Sequence, residues 1–369
     1  MEGVPVMFTN LENLLNKYLA LGIPGLDCVV FQNGKQVYRC IKGFSNLASH
    51  IPMQGKERFN LYSCSKLITV TAALQLYDKK LFSMDDDVSL YLPQFRYLSV
   101  RDGNGVIRPA VSPLRIRHLF NMTAGFNYDT NMPIFDEVRQ NTDGRCPTQE
   151  TINALAKVPL LFDPGTRFEY SFCHDVLAAL VEQISKMRFS AYVKKHIFDQ
   201  VGMTHSSFAP TKEDISSLME QYIFLDGELW NCGKNIQYYK FGTEYESGGA
   251  GCISSTEDYI MFLEALRLNE LIPSHLVDLM STNTLTSAQQ ESFFLSDYGY
   301  GYGLGVRCPK DSANCETSDF GWGGAAGSYA VIDRKNKLTV FYAQHAINAP
   351  NSEMKREIIR CVHRDLAIQ

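Results

Sequence analysis

The sequence lacks the features that mark membrane, secreted and nucleic-acid-binding proteins. No stretch of its 369 residues reaches the roughly 18 consecutive apolar residues of a membrane-spanning helix. Residues 1–16 have neither the basic start nor the unbroken apolar core of a signal peptide. Its 35 lysines and arginines are scattered among 40 acidic residues, so no basic stripe is present. We therefore expect a cytoplasmic protein with small-molecule partners and with no nucleic-acid or membrane partner.

Paired cysteines and metal-ligand motifs are also absent. The ten cysteines are dispersed, with no Cys-x-x-Cys pair and no zinc-site spacing. The acidic triplet at 85–87 precedes a short apolar run, which is typical of a turn or a helix cap rather than of a metal site. The glycine run at 299–305 lacks the spacing of a dinucleotide-binding loop. The sequence therefore predicts no metal and no cofactor, and it makes no prediction of oligomeric state.

The order of periodic segments predicts an α/β (α+β) protein. Apolar residues on both sides of the turn Asn33-Gly34 indicate two strands of a β-hairpin within 26–41. The middle of the chain is mostly helical, and more strands follow before a final amphipathic helix. The other predicted strands are 300–307, 328–333 and 338–344, and the predicted helices are 7–20, 65–79, 116–121, 148–156, 174–186, 190–200, 256–269, 274–280 and 353–367.

These segments predict one antiparallel sheet built from both ends of the chain and flanked by helices. Residues 1–50 and 245–369 would form this sheet subdomain, and residues 51–244 a mostly helical subdomain packed beside it. A site is expected in the cleft between the two. The aromatic-rich, irregular segments 127–146 and 221–246 would border that cleft. The whole chain would then be a single catalytic unit.

Three short motifs could carry chemistry. Ser63 and Lys66 lie three positions apart at the start of an apolar helical run, close enough for the amine to take the hydroxyl proton. Tyr170 precedes another helix, and an ammonium beside it would lower its pKa and let it pass a proton to a leaving alcohol. The glycine-rich stretch 321–327 could bring backbone N–H groups to an oxyanion. Taken singly, such a tyrosine is usually a packing residue and such a stretch usually a simple turn.

Together and in this order, the motifs resemble those of the serine beta-lactamase and penicillin-binding-protein superfamily. Within it the chain looks most like the class C branch, and specifically the family VIII carboxylesterases and related acyltransferases, whose third motif is Trp-Gly-Gly. The resemblance covers nearly the whole chain and implies a beta-lactamase/transpeptidase-like fold. The co-linear matches lie at 63–66, 85–93, 116–125, 162–165, 170–171, 201–204, 248–251, 254–258 and 322–324.

The resemblance implies roles for individual residues. Ser63 would be the nucleophile, Lys66 its activating base and Tyr170 the proton relay to the leaving group. The backbone N–H groups of Ser63 and Ala325 would form the oxyanion hole. The residues expected to contact substrate are Trp322, Gly323, Gly324, Phe172 and His345.

Two departures from the family pattern bear on the substrate. Trp322 stands where beta-lactamases and transpeptidases hold a lysine, so a cation for a substrate carboxylate is missing unless the fold supplies Arg307 or Arg334. Phe172 stands where other members keep an asparagine that contacts an amide side chain. Both changes favour an apolar pocket and an uncharged ester. His345 ends a strand beside that of Trp322, which makes it the histidine best placed for a role in the cleft.

The sequence therefore predicts a serine hydrolase that forms an acyl-enzyme on Ser63. Its activity would be that of a carboxylesterase or acyltransferase on a hydrophobic small-molecule ester, with water or a second small molecule as acyl acceptor. A beta-lactamase, D-alanyl carboxypeptidase or D-aminopeptidase is an alternative that keeps the nucleophile but needs the missing cation. A catalytically silent ligand-binding module is another, and the intact Ser63, Lys66 and Tyr170 argue against it. The chain has no Gly-x-Ser-x-Gly elbow of the α/β-hydrolases.

Overall fold

The computed structural model describes residues 7–234, 239–295, 298–300, 307–309 and 318–368. Its helices are α1 Thr9–Ala20, α2 Ser65–Asp78, α3 Ile116–Phe120, α4 Pro133–Asn141, α5 Thr148–Leu155, α6 Cys173–Ser185, α7 Phe189–Val193, α8 Asp199–Val201, α9 Lys212–Ser216, α10 Thr256–Arg267, α11 Ser274–Met280, α12 Ser287–Glu291 and α13 Glu357–Asp365. A π-helical turn, Lys194–Phe198, joins α7 to α8. Short 3-10 helices lie at Tyr62–Cys64, Val88–Leu90, Pro93–Arg96 and Ser352–Met354.

The strands form one large sheet and three small ones. They are β1 Gly25–Gln32, β2 Lys35–Asn46, β3 Ile51–Pro52, β4 Arg58–Asn60, β5 Ser99–Arg101, β6 Ile107–Pro109, β7 Gln221–Leu225, β8 Glu228–Gly233, β9 Ile253–Ser255, β10 Tyr298–Tyr300, β11 Arg307–Pro309, β12 Phe320–Gly323, β13 Tyr329–Asp333, β14 Leu338–Gln344 and β15 Ala346–Ile347. The large sheet is antiparallel throughout, in the order β10-β11-β12-β13-β14-β1-β2-β3.

Both faces of the large sheet are covered, which explains why β13 and β14 are buried along their whole length. Side chains alternate between the faces with the two-residue period of a strand. On one face Cys28 and Val30 pack in a cluster that includes residues of α1 and α13. On the other face Val29 and Phe341 belong to the main core, which includes α2 and α10. The predicted architecture of an antiparallel sheet flanked by helices is therefore confirmed.

Helix α2 lies in the middle of the main core. Its sequence is apolar on nearly every side, as expected of a helix with no solvent-facing stripe, and most of its residues are buried. It packs against α6 and follows directly from the 3-10 turn Tyr62–Cys64. The polar residue Lys66 in its first turn is therefore held inside the protein rather than at its surface.

The structure contains the predicted hairpin turn and matches two of the predicted elements at both ends. The hairpin turn is present, with φ of 53° at Asn33 and 76° at Gly34, the left-handed pair of a type I′ turn. Helix α11 and strand β14 match the predicted 274–280 and 338–344. Of the predicted strand 300–307, residues 301–306 lie outside the described residues, as does part of the glycine run 299–305.

The two segments predicted to be irregular contain regular structure. Within 221–246, strands β7 and β8 pair around Asp226-Gly227, where φ is 51° and 84°, and β7 pairs in parallel with β15. Within 127–146, helix α4 starts with Pro133 at its first position. The prediction of irregular structure was wrong at these elements, although Asp-Gly is a hairpin signal and proline is favoured at a helix start.

The acidic triplet behaves as a cap. Asp87 precedes the 3-10 helix Val88–Leu90 and its carboxylate accepts the Ser89 N–H at 2.8 Å. In the described parts of the chain, no three His, Cys, Asp or Glu side chains cluster in a way that could hold a metal. None of the described helices has both the length and the apolarity to cross a membrane.

Candidate active site

Ser63 lies at the turn that links β4 to α2. The residue before it, Tyr62, is buried and has φ of 46°, a left-handed conformation that is costly for a bulky side chain. Its phenol donates a hydrogen bond to Gln221 Oε1 at 2.8 Å, which fixes the turn against β7. The turn continues into α2, so Ser63 and Lys66 stand one helical turn apart on the same side.

The structure brings Ser63, Lys66 and Tyr170 together. Tyr170 donates its phenol proton to Ser63 Oγ at 2.7 Å, and Lys66 Nζ lies 3.3 Å from the same oxygen. The Lys66 ammonium position is also 4.5 Å from the centre of the Tyr170 ring. Ser63 and Tyr170 both line one cavity. The hydroxyl is thus held between an amine and a phenol, at the surface of a space that can admit substrate.

The environment of Lys66 favours its neutral amine. Burial lowers the pKa of Lys66 to about 7, against a smaller opposing effect of Asp175. Lys66 Nζ donates to the Gly249 carbonyl at 2.8 Å and to the Tyr128 hydroxyl at 3.1 Å. A neutral amine has two N–H groups and one lone pair. Those two acceptors use both N–H groups, so the lone pair is left to face Ser63 Oγ.

Tyr170 is held in its protonated form, contrary to the expectation from the sequence. Burial raises the pKa of the Tyr170 phenol, and this outweighs the hydrogen bond that it donates to Ser63 and the one that it accepts from Trp322, both of which lower that pKa. The prediction of a lowered phenol pKa was wrong because it considered the charge of the nearby lysine but not the desolvation of the phenolate by burial. Two neighbouring groups whose pKa values are pushed in opposite directions can divide the roles of base and acid.

Tyr128 was not singled out in the sequence. Its hydroxyl contacts Lys66, and its ring packs edge-on against Tyr170 and Phe172, with centroids 5.4 and 4.8 Å apart. The only signal was its position in the aromatic-rich segment 127–146. Phe172 itself is 1% exposed, packs against Phe135 as well, and is not among the residues that line the cavity. Phe172 directly precedes α6, and its side chain lies in the core, where it packs against the Tyr128 ring.

The glycine-rich turn between β12 and β13 approaches the Ser63 turn very closely. A Cβ on Gly324 would lie 2.3 Å from the Leu61 carbonyl oxygen, so only glycine fits there. Ser328 Oγ donates to the same carbonyl at 3.1 Å, which links the two turns. Ser63 and Ala325 consequently line the same cavity. Their backbone N–H groups remain the predicted oxyanion hole.

Trp322 joins this turn to the Tyr170 phenol. Its indole N–H donates to the Tyr170 hydroxyl oxygen at 3.1 Å, and the two rings stack with centroids 5.6 Å apart. Trp322 and Gly323 line the cavity together with Phe294, whose ring meets Trp322 nearly edge-on. Trp322 and Phe294 therefore give the cavity an apolar lining, whereas Phe172 does not reach it.

The cavity has a volume of about 720 Å³, and two cationic side chains are among the residues that line it. Lys355 and Arg356 line it, and Lys355 Nζ donates to the Gly324 carbonyl at 3.4 Å. The expectation that no cation accompanies Trp322 was wrong, because the chain before α13 returns to the cavity from a distant part of the sequence. Arg334 binds Asp278 and Asn269 instead, and the side chain of Arg307 lies outside the described part of the structure.

His345 does not reach the cavity. It is fully buried, its Nε2 accepts the Asn60 N–H at 3.2 Å, and its Nδ1 lies 2.9 Å from the Met219 carbonyl, to which it donates. Burial lowers the pKa of His345 to about 4, so the ring is neutral and can accept and donate at once. These contacts join the residue that follows β14 to β4 and to the chain before β7.

A serine hydroxyl held between a lysine amine and a tyrosine phenol, beside a glycine-rich turn, is the arrangement of a serine hydrolase. The comparisons agree with this class. The family model described as Beta-lactamase matches residues 11–361, and the chain belongs to the beta-lactamase family. The predicted resemblance, the beta-lactamase/transpeptidase-like fold and the serine hydrolase class are thereby confirmed.

Three individual proteins illustrate the likeness. Esterase EstB of Burkholderia gladioli is 27% identical over 342 residues, which are 86% of this chain and 84% of that protein. The structure of EstCE1, a hydrolase with promiscuous acyltransferase activity, has a TM-score of 0.78 at 22% identity and covers 96% of this chain and 98% of its own. Simvastatin synthase (LovD) of Aspergillus terreus has a TM-score of 0.80 at 22% identity, covering 99% and 98%. At this identity the two structures establish the shared fold alone.

Proposed function

We propose that this protein is a carboxylesterase or acyltransferase that forms an acyl-enzyme on Ser63 with a hydrophobic small-molecule ester. The observation that carries the proposal is the position of Ser63 Oγ, which is 2.7 Å from the Tyr170 hydroxyl and 3.3 Å from Lys66 Nζ and faces the cavity. The esterase and acyltransferase relatives support it. A family member that had become a silent binding module would have no need to keep all three groups in contact.

Acylation begins with proton transfer from Ser63 to Lys66. The neutral Lys66 amine accepts the hydroxyl proton as Ser63 Oγ attacks the ester carbonyl carbon, and the carbonyl oxygen becomes an oxyanion. The N–H groups of Ser63 and Ala325 receive that oxyanion, and donors of this kind are each worth about 3 kcal/mol in the transition state. The ammonium formed on Lys66 is stabilised by the Gly249 carbonyl and by the face of the Tyr170 ring.

Collapse of the intermediate expels the alcohol. Tyr170 is protonated and its hydroxyl lies beside Ser63 Oγ, so it gives its proton to the departing oxygen and is reprotonated by the Lys66 ammonium. The Trp322 N–H stabilises the transient negative charge on the phenol oxygen. In deacylation, water or a second alcohol or amine loses its proton by the same route and takes the acyl group from Ser63.

The lining of the cavity supports a hydrophobic ester. Trp322, Phe294 and Leu295 form an apolar wall next to Ser63, and the space of about 720 Å³ is of the size that holds a small organic molecule. The similarity to EstB, an esterase, supports the same chemistry. A beta-lactamase or peptidase activity would use the same Ser63 and is tested in the same experiment.

The test is the initial rate of 4-nitrophenyl butyrate hydrolysis, measured beside that of a chromogenic cephalosporin. We expect the unmodified protein to hydrolyse the ester faster than the cephalosporin. Ser63→Ala should abolish ester turnover, and Ser49→Ala, at an exposed turn, should retain it. Faster cephalosporin turnover would identify a beta-lactamase instead. Ester turnover that survives in Ser63→Ala, or none at all with water or an added alcohol as acceptor, would refute the proposal. Addition of a short alcohol separates the two branches, because a transferase diverts the butyryl group to it.

A further inference from the structure

Tyr239 is an aromatic residue of the cavity wall that the proposed reaction does not use. It lies in the segment 221–246, after β8, and lines the cavity together with Ser63. Its ring stacks on that of Tyr128, with centroids 5.0 Å apart and planes inclined by 27°. The same ring meets Tyr62, the residue before Ser63, nearly edge-on at 6.1 Å. Tyr239 therefore packs on the aromatic neighbours of both Ser63 and Lys66.

Tyr128 lies between Tyr239 and Lys66. Lys66 Nζ donates to the Tyr128 hydroxyl at 3.1 Å and lies 5.0 Å from the centre of the Tyr128 ring. Neither Tyr128 nor Lys66 is among the residues that line the cavity, whereas Tyr239 is. The Tyr239 ring thus forms a layer between the open cavity and the Tyr128–Lys66 pair.

Lys66 depends on the absence of water for its neutral form. Its side chain is fully buried, and its hydrogen-bond partners are the Ser63 and Tyr128 hydroxyls and the Gly249 carbonyl, none of which carries a charge. Burial is the largest cause of its lowered pKa of about 7. Water that reached the ammonium would stabilise it and raise that pKa again. The side chains that exclude water from Lys66 therefore help to decide how much of it is a base.

The titratable groups that face Lys66 are Cys64, Tyr128, Tyr170, Cys173, His174 and Asp175. Burial raises the pKa of both phenols and of the Cys173 thiol and lowers that of His174 to about 3, so these four stay uncharged between pH 5 and 9. The Cys64 thiol donates to the Trp322 carbonyl at 3.6 Å. Asp175 is the remaining group, and it favours the ammonium. Shortening Tyr239 removes none of the six, so its effect on Lys66 would come through water.

From these contacts we infer that Tyr239 is a positioning residue whose ring keeps cavity water away from Tyr128 and Lys66 and thereby keeps Lys66 a base at neutral pH. The inference rests on the proposed acyl-enzyme chemistry, in which Lys66 accepts the Ser63 proton. It assigns the wall of the cavity two different tasks. Trp322 and Phe294 receive the substrate, and Tyr239 protects the base from the solvent that enters with it.

The test is the pH dependence of kcat/KM for 4-nitrophenyl butyrate, from pH 5 to 10, in Tyr239→Ala and Tyr239→Phe. The substrate does not titrate in this range, so the rise of kcat/KM with pH reports the free enzyme. We expect Tyr239→Ala to move the midpoint of the rise to higher pH by about one unit, because water then reaches Lys66. Tyr239→Phe keeps the ring and should keep the midpoint. Tyr239→Leu, which covers less surface than the ring and cannot stack, should lie between the two.

Two controls separate this effect from others. Tyr97→Ala removes an exposed tyrosine before β5 and should leave the midpoint unchanged. Lys355 also lines the cavity, and burial lowers its pKa to about 8, so the comparison is repeated in the Lys355→Met background, where the same shift is expected. A variant that only folds poorly loses the same fraction of kcat/KM at every pH and leaves the midpoint in place.

The outcomes separate this inference from the proposed function. Ser63-dependent turnover with one midpoint in Tyr239→Ala, Tyr239→Leu and the unmodified protein would overturn the role of Tyr239 and leave the ester chemistry intact. A shift of equal size in Tyr239→Phe or Tyr97→Ala, or a shift that disappears with Lys355→Met, would overturn it as well. Loss of turnover at every pH in both Tyr239→Ala and Tyr239→Leu would mean that Tyr239 acts on something other than the state of Lys66. Absence of Ser63-dependent turnover in the unmodified protein would overturn both proposals.

Discussion

The Trp322 indole N–H donates to the Tyr170 hydroxyl oxygen at 3.1 Å while the two rings stack 5.6 Å apart. Tyr170 in turn donates to Ser63 Oγ at 2.7 Å. The tryptophan of the third motif is therefore linked to Ser63, the proposed nucleophile, through the Tyr170 phenol, in addition to lining the cavity. A phenylalanine at this position could stack on Tyr170 but could not donate a hydrogen bond to it. Substitution by phenylalanine therefore tests the hydrogen bond separately from the ring stacking.

We expect Trp322→Phe to lower kcat for 4-nitrophenyl butyrate by about tenfold with little change in KM, since one hydrogen bond to the developing phenolate is lost. Steady-state kinetics measure both constants. The matched control is Trp230→Phe, because Trp230 is exposed on β8 and is the other of the two tryptophans. An unchanged kcat in Trp322→Phe, or a loss of equal size in the control, would show that the Trp322–Tyr170 hydrogen bond does not contribute to turnover.

The pH dependence of the reaction should report the state of Lys66. Its pKa is lowered to about 7 by burial, and only the neutral amine can accept the Ser63 proton. We therefore expect kcat/KM to rise with pH and to level off above about pH 7, with the loss at low pH due to protonation of the base. A profile of kcat/KM from pH 5 to 9 measures this rise. A kcat/KM that still rises without levelling off at pH 9, as the ordinary lysine pKa of about 10.4 would give, would mean that burial does not control the base.

Asp175→Asn should shift the rise of kcat/KM to lower pH. Asp175 is buried on α6, accepts hydrogen bonds from Tyr245 at 2.8 Å and Ser247 at 2.6 Å, and favours the charged form of Lys66. Asparagine keeps an acceptor for the two hydroxyls but removes the negative charge, so the Lys66 ammonium loses stabilisation. The measurement is the same profile of kcat/KM. If the rise of kcat/KM stays at the same pH, Asp175 is itself protonated in the active enzyme. Burial raises the pKa of Asp175, which would permit this.

Gly324→Ala should damage both stability and turnover. The added Cβ would meet the Leu61 carbonyl oxygen at 2.3 Å and Ser328 Oγ at 2.2 Å, so the two turns must separate. Overpacking of this kind costs about 1–3 kcal/mol. Thermal unfolding and ester turnover are the measurements. Gly103→Ala is the control, because a Cβ there meets nothing within 4 Å. Equal unfolding temperatures for the two variants would show that the turn has room that the structure does not indicate.

The sequence predicted best those parts of the site that are local. Ser63 and Lys66 are three positions apart, so helical geometry alone brings them to one side, and the structure brings both to Tyr170. The hairpin at Asn33-Gly34 and the buried helix α2 were predictable for the same reason. Each depends on a turn signal or a hydrophobic pattern within one short segment.

Contacts between distant segments were not predictable. Tyr128 reaches Lys66 from a segment that precedes α4, and Lys355 reaches Gly324 from a segment that precedes α13. No periodicity links such positions, because only the packing of helices and sheet decides which loops meet. Phe172 shows the same limit in reverse. Its place beside Tyr170 in the sequence suggested the cavity, but the direction of its side chain is set by the start of α6.

His345 should govern the acid stability of the fold rather than the reaction. Its neutral ring accepts from Asn60 and donates to Met219, and burial lowers its pKa to about 4 from 6.5. The unfolded chain therefore binds a proton at pH 5 that the folded chain does not. This contribution to stability is fully present above about pH 6.5 and is lost as pH falls through about 4.

We expect the free energy of unfolding of the unmodified protein to fall by about 2 kcal/mol between pH 7 and pH 5 because of this residue. Urea unfolding at the two pH values measures the fall. Glutamine cannot be protonated, so in His345→Gln the fall should be smaller by that amount, even if the variant is less stable at pH 7. His275→Ala on the exposed face of α11 is the control and should keep the full pH dependence. The same dependence in His345→Gln and the control would assign the acid sensitivity to other groups, of which buried His118 and His174, with pKa values lowered to about 4 and about 3, are the first to test.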